Sequence, residues 1–225
     1  MKRLIVIVEG DTEKEFIDKV LSPYLASKGL YDINIQCFKI KHTKGGLTKY
    51  RHLKTDLIHC IYESDALVTT MIDYFALPSD FPKYEEAQVI VDKGERVSFL
   101  ERAIVEDVEK EKNKTFPNLL PYIQLHEFEA LVFSSISAIR ALYTDREAKF
   151  NELEQIITRY PNPEDINDDP KTAPSKRLIN NQLIKGYNKV IDGILIIEEV
   201  GIDTILKKCP RFKKWVETII ERLNH

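Results

Sequence analysis

The sequence predicts an α/β fold, a mainly parallel sheet flanked by helices with a helical C-terminal part. Three observations predict it. Short runs rich in Val, Ile and Leu at Lys2 to Val8 and Ala66 to Ile72 have the continuous hydrophobicity of strands covered on both faces. Segments with apolar residues at helical spacing separate the strands, giving the order β-α-β-α-β that a parallel sheet needs. Beyond about residue 136 only helical pattern remains.

Taken in order, the first strand ends at Glu9-Gly10. Thr12 as N-cap with Glu15 three residues on reads as a capping box, and Phe16, Ile17, Val20, Leu21 and Leu25 carry the helix to about Lys28. Ile33 to Ile40 alternates as a second strand. Gly45-Gly46 breaks the chain, and Leu47 to Tyr62 reads as a helix. The strand Ala66 to Ile72 ends at Asp73, and 73–82, with Pro78 and Pro82, is a turn-rich loop. Tyr84 to Lys112 is mostly helical with a break at Asp92-Lys93-Gly94, Leu119 to Gln124 is a fourth strand, and His126 to Phe133 starts a helix. Helices are then expected at Ile136 to Leu142, Arg146 to Tyr160, Lys176 to Ile184, Lys189 to Val200 and Phe212 to Leu223. The stretch 162–174, with Pro163, Pro170 and Pro174, is a surface loop or linker. The expected organisation is a core over 1–135 and a helical extension over 136–225 that packs on it and contributes Lys189.

Composition bounds the function. With 225 residues, 43% hydrophobic and 31% charged, the chain can bury a sizeable core, which excludes fibrous and disordered classes. No apolar stretch approaches the roughly 18 residues of a membrane span, and Glu9 stops the N-terminal run short of a signal-peptide core. Cys37, Cys60 and Cys209 are odd in number and lack a C-x-x-C pair, which suits reduced thiols rather than disulfides or zinc. The expectation is a cytoplasmic protein with no membrane contact, in which a homo-oligomer is an open alternative. The net charge of −3 argues against a general nucleic-acid coat, yet residues 171–225 carry 11 Lys+Arg against 6 Asp+Glu. Lys39, Lys41, Lys44, Lys49, Arg51 and Lys54 form a second basic stretch with no acid among them. An acidic body with basic patches could hold a metal in one place and phosphates in another; solvated surface is the plainer reading.

The candidate chemistry follows the strands. In open α/β sheets ligands gather at the carboxyl ends, and Glu9 and Asp73 each follow a buried strand, with Glu129 shortly after the fourth. Carboxylates gathered there repel one another unless a cation neutralises them, and hard oxygen ligands suit Mg2+ or Mn2+. Glu13, one helical turn past Glu9, could face the same point and bridge to a second ion; alternatively it favours the helix N-terminus, and Asp73 is a turn or capping residue. Asp80 could return a carboxylate from the loop, or equally find its partner in the local backbone. His126 and Glu129 are three apart and would share a helix face, but His126-Glu127-Phe128-Glu129 is not H-E-x-x-H, so a zincin is unsupported. Glu127 is the lower-ranked alternative to Glu129, and His126 has a supporting or substrate-facing role or is a buried, hydrogen-bonded histidine. Gly45-Gly46 with Lys44, Lys49 and Arg51 has no P-loop form but could track a nucleic-acid backbone. Lys176 and Arg177 open a helix that suits a phosphate, with N-capping by Ser175 as the rival.

Glu9-Gly10-Asp11-Thr12-Glu13 after a hydrophobic strand resembles the E-G-x-[ST]-E opening of Toprim domains, in the branch found in OLD-type nucleases and in RloB-like and AbiL-type phage-defence proteins. Ile72-Asp73 stands where Toprim proteins carry D-x-D, Phe128-Glu129-Ala130-Leu131 resembles the F-E-x-[WL]-L segment of the RloB-like group, and Gly186-Tyr187-Asn188-Lys189 resembles its G-Y-x-K. The resemblance implies a divalent-metal-dependent nuclease of bacterial defence that works beside a separately encoded ATPase. It implies Glu9 as metal ligand or acid/base, Asp73 as metal ligand, Glu13 and Glu129 at a second ion, and Lys189 on a phosphate or leaving oxygen. The chain departs from the pattern at Phe75, where D-x-D has its second acid. That departure supports the rival expectation, a catalytically weak or inactive Toprim-like module that binds nucleic acid or docks on the ATPase.

Overall fold

The computed structural model describes residues 1–41, 46–75, 77–166 and 172–224. The chain divides into two compact units, 1–125 with 217–225, and 126–216. Residues 126–135 thus fall in the second unit.

The first unit is built on the sheet. Strands β1 (Arg3–Val8), β2 (Asn34–Lys39), β3 (Ala66–Asp73) and β4 (Leu119–Leu120) run in the order β2-β1-β3-β4, and β5 (Ile123–Gln124) also pairs with β3. Every pairing is parallel, as expected for an α/β fold. Leu4 to Val8 are all buried, which explains why β1 reads as an unbroken apolar run. Ile5, Ile7, Val68 and Ile72 form one core with Leu53 and Leu57 of α3 (Tyr50–Cys60). Val97, Leu100 and Ile104 of α5 (Lys93–Lys112), which follows the short α4 (Tyr84–Gln88), join the same core.

Several local expectations change. The first helix is capped by Gly10, not Thr12, and the side chain of Glu13 accepts the Gly10 N–H at 2.9 Å. It runs as α1 (Asp11–Phe16), a π-turn over Ile17–Leu21 and α2 (Ser22–Ser27). The fourth strand is split into β4 and β5 because Pro121, between them, has no N–H to give the ladder. Threonine hydroxyls of β3 repair the gap: Thr69 Oγ1 donates to the Leu120 carbonyl at 2.5 Å, and Thr70 Oγ1 donates to the Tyr122 carbonyl at 2.7 Å while accepting its N–H at 2.9 Å. These bonds let two fully buried threonines sit in an apolar strand.

The second unit is helical. A 3-10 segment, Phe128–Ser134, replaces the helix expected from His126, whose φ of +69° places it outside any helix. The expectation that His126 and Glu129 share a helix face therefore fails. Then come α6 (Ile136–Leu142), α7 (Phe150–Arg159), a 3-10 turn at Pro163–Asp165, α8 (Pro174–Ile179) and α9 (Ile191–Val200). A short α10 (Ile202–Lys208), absent from the sequence reading, precedes α11 (Pro210–Asn224), whose last residues belong to the first unit. Pro210 suits the first turn of α11, where its missing N–H is not needed. The fully buried Glu164 accepts the next two amides, of Arg211 at 2.9 Å and Phe212 at 3.1 Å. Cys37, Cys60 and Cys209 are free thiols. Among the described residues, no helix is long and apolar enough to cross a membrane.

Leu53 is fully buried in the first unit's core while Val91 is 91% exposed. Leu53→Ala is therefore expected to cost about 2–5 kcal/mol in urea unfolding, and Val91→Ala less than about 0.5 kcal/mol. Equal costs would contradict this assignment of the core.

Candidate functional site

In the first unit the site grows from the ends of two adjacent strands. Glu9 follows the last residue of β1, and Asp73 is the last residue of β3. The Glu9 carboxylate accepts the Leu47 N–H through Oε1 at 3.1 Å and the Asp73 N–H through Oε2 at 3.3 Å. One side chain thus ties the exits of β1 and β3 to the segment that enters α3. Gly46, at φ +73°, has its backbone in the left-handed region that favours glycine.

Asp80 holds the same segment from the other side. Its Oδ1 accepts the Tyr50 N–H at 3.0 Å, capping α3 where the N-cap residue Lys49 offers no side-chain acceptor. Asp80 is exposed, and Glu9 and Asp73 are half-buried. Glu13 is buried with its carboxylate on the Gly10 amide, the helix-start role that was the alternative to metal binding. Lys49 and Arg51 are exposed beside this site. Lys44 lies outside the described residues.

The remaining candidates lie in the second unit. Glu129 is 2% exposed and pairs with Lys189 Nζ at 2.9 Å, the lysine side chain being 42% exposed. Burial pushes the Glu129 carboxyl above its ordinary value; Lys189 opposes that shift and Glu127 adds to it. Lys189 sits in the turn before α9, where Asn188 Oδ1 accepts the Val190 and Ile191 amides, both at 3.0 Å. Glu127 is committed elsewhere: Ser175 donates its N–H to Oε2 and its hydroxyl to Oε1, both at 2.9 Å. Ser175 is therefore not the cap of α8, a position taken by Ala173. Arg177 donates to the Thr172 carbonyl at 2.7 Å and faces the Tyr160 ring, so it is held within the unit. Lys176 is half-buried, and His126 is buried.

One feature was not read from sequence. The Tyr187 phenol is buried without a hydrogen-bond partner, and desolvation, with Glu129 and Asp192 nearby, holds its pKa well above the ordinary range. A Cβ on Gly193 would stand 2.9 Å from this hydroxyl. The signal was present as a glycine in the first turn of a helix, which is destabilising unless packing requires it. Among the described residues, no group of three or more His, Cys, Asp or Glu side chains stands at metal-coordinating spacing.

The raised Glu129 carboxyl has a consequence for stability. A carboxyl that titrates higher in the folded state contributes stability that is fully present below the ordinary value near 4.5 and is lost as pH rises through the raised one. Urea unfolding at stepped pH should show wild type declining relative to Glu129→Gln across that window. Parallel profiles would contradict the burial argument.

No curated protein and no solved structure matches the chain. Its residues 8–220 match the family described as Domain of unknown function (DUF4276), and the chain belongs to that family.

Proposed function

We propose that the chain hydrolyses phosphodiester bonds of DNA or RNA with a divalent cation held by Glu9 and Asp73. The observation that carries this reading is the link between Glu9 and the Asp73 amide at the carboxyl edge of a parallel sheet, where open α/β sheets hold their ligands. The donor set fits Mg2+ or Mn2+. Both side chains offer hard oxygens, and Mg2+ is commonly held by one or two carboxylates together with waters and substrate phosphates. Both Glu9 oxygens accept an N–H, which holds the carboxylate at the strand exits. When bound, the ion would supply an acidified water and neutralise charge on the phosphate.

The chain's own residues divide the remaining work. The Leu47 and Asp73 amides fix the orientation of Glu9, and Lys49 and Arg51 offer exposed cations to a phosphate backbone. A second ion would draw on Glu13 and Glu129, whose carboxylates are engaged by Gly10 and Lys189. Glu129, buried and ion-paired, is the less available of the two, and the reading is built on one ion. A phosphate at Lys189 would share its half-exposed ammonium with Glu129. Resemblance to the Toprim domains of OLD-type, RloB-like and AbiL-type proteins supports nuclease chemistry, a place in defence against phage or mobile DNA, and an ATPase partner. Phe75 in the second position of D-x-D favours a second reading, a module that binds nucleic acid or docks on the ATPase without cleaving.

The two readings separate on calorimetric titration of Mn2+ and Mg2+, with cleavage of labelled single-stranded DNA, duplex DNA and RNA followed on the same samples. The Glu9→Gln/Asp73→Asn variant is expected to lose metal binding, and cleavage should fall by about 10²-fold or more. Metal binding that survives the double substitution would overturn the assignment. No binding at millimolar metal with nucleic acid present would favour the interaction module.

A further inference from the structure

Strand β2 lies at the end of the sheet order, with β1 as its only strand neighbour among the described residues. The N–H groups of Asn34 and Ile40 donate to the Lys2 and Val8 carbonyls at 3.0 and 2.9 Å. Alternation along the strand therefore turns the N–H and C=O groups of Ile35, Cys37 and Lys39 to the outer edge. An open edge of this kind pairs with another strand unless proline, a bulge, charge or a covering element blocks it. Asn34–Lys39 contains no proline, its register against β1 is unbroken, and its single charge stands at the last position. That charge, Lys39, is held by Asp11 at 2.7 Å, away from the centre of the edge. Asn34, Gln36 and Lys39 are exposed, and Tyr31, just before the strand, is 83% exposed.

We propose that β2 pairs antiparallel with β2 of a second copy about a two-fold axis at Cys37, joining two sheets into one. The register is self-complementary. Cys37 meets Cys37, and Ile35 meets Lys39, as hydrogen-bonded pairs, so all three outward residues of each copy find partners on the other. The charge is self-complementary too. The strand begins beside the exposed Asp32 and ends at Lys39 and the exposed Lys41. Antiparallel pairing sets the acidic end of one copy beside the basic end of the other, with no like charges directly opposed. This interface is independent of the Glu9–Asp73 reading and stands or falls separately.

Sedimentation equilibrium with backbone amide exchange tests it. The protein is expected to be a dimer in the micromolar range. In the dimer the amides of Ile35, Cys37 and Lys39 should exchange as slowly as those of Gln36 and Phe38, and they should lose that protection on dilution. Cys37→Pro removes an outward N–H from each copy, a change an edge strand tolerates, and should weaken the dimer about thirtyfold. If Cys37→Pro does not fold, Ile35→Lys, which faces Lys39 of the other copy, should weaken it about tenfold. A monomer at every concentration, including one that pairs only with a foreign peptide strand, would overturn the proposal. So would a dimer whose 35, 37 and 39 amides exchange freely, or one that Ile35→Lys leaves unchanged.

Discussion

The carboxylate of Glu9 is the interaction on which the first unit's arrangement depends. Parallel strands end with backbone groups that the ladder no longer pairs, and a buried unpaired amide costs about 1–3 kcal/mol. Glu9 answers two of these needs with one side chain, taking the Asp73 amide at the end of β3 and the Leu47 amide on the way into α3. Bonds from amides to a charged acceptor are stronger than neutral ones, so the pairing also fixes where the acid points. The geometry of the proposed metal site and the path of the 46–50 segment thus have a common cause. Asp80 completes the anchoring by capping α3 at Tyr50.

The second unit uses its buried acids differently. Glu127 accepts twice from Ser175, Glu164 takes two amides at the start of α11, and Glu129 pairs with Lys189. A carboxylate removed from water is tolerated only when such partners replace its hydration. For Glu129 and Glu164 burial still outweighs them, and both carboxyls are pushed upward. These acids are each bound into the local structure.

What was legible in the sequence follows from the range of the forces involved. β1 and β3 were readable because burial on both faces leaves a continuous apolar run with a sharp end, and that end located Glu9 and Asp73. The cap of α1 was misread because Gly10 has no side chain to announce it, whereas Thr12 carries an ordinary capping signal; the deciding bond comes from Glu13 reaching back. The split of the fourth strand depended on Pro121 together with the hydroxyls of Thr69 and Thr70, some 50 residues away in the chain. Likewise the Ser175–Glu127 bonds join residues 48 apart in the chain that no local pattern couples, whereas the buried Tyr187 phenol left one trace, the glycine at 193.

The account stands most directly on where a divalent cation binds. Titrating substoichiometric Mn2+ into isotope-labelled protein and following paramagnetic broadening of backbone amides locates the ion without requiring turnover. The amides of Gly10, Leu47 and Asp73 should broaden first, and Glu9→Gln should abolish that selectivity. Broadening that begins elsewhere, or that persists at these three amides in Glu9→Gln, would contradict a metal site built on the ends of β1 and β3.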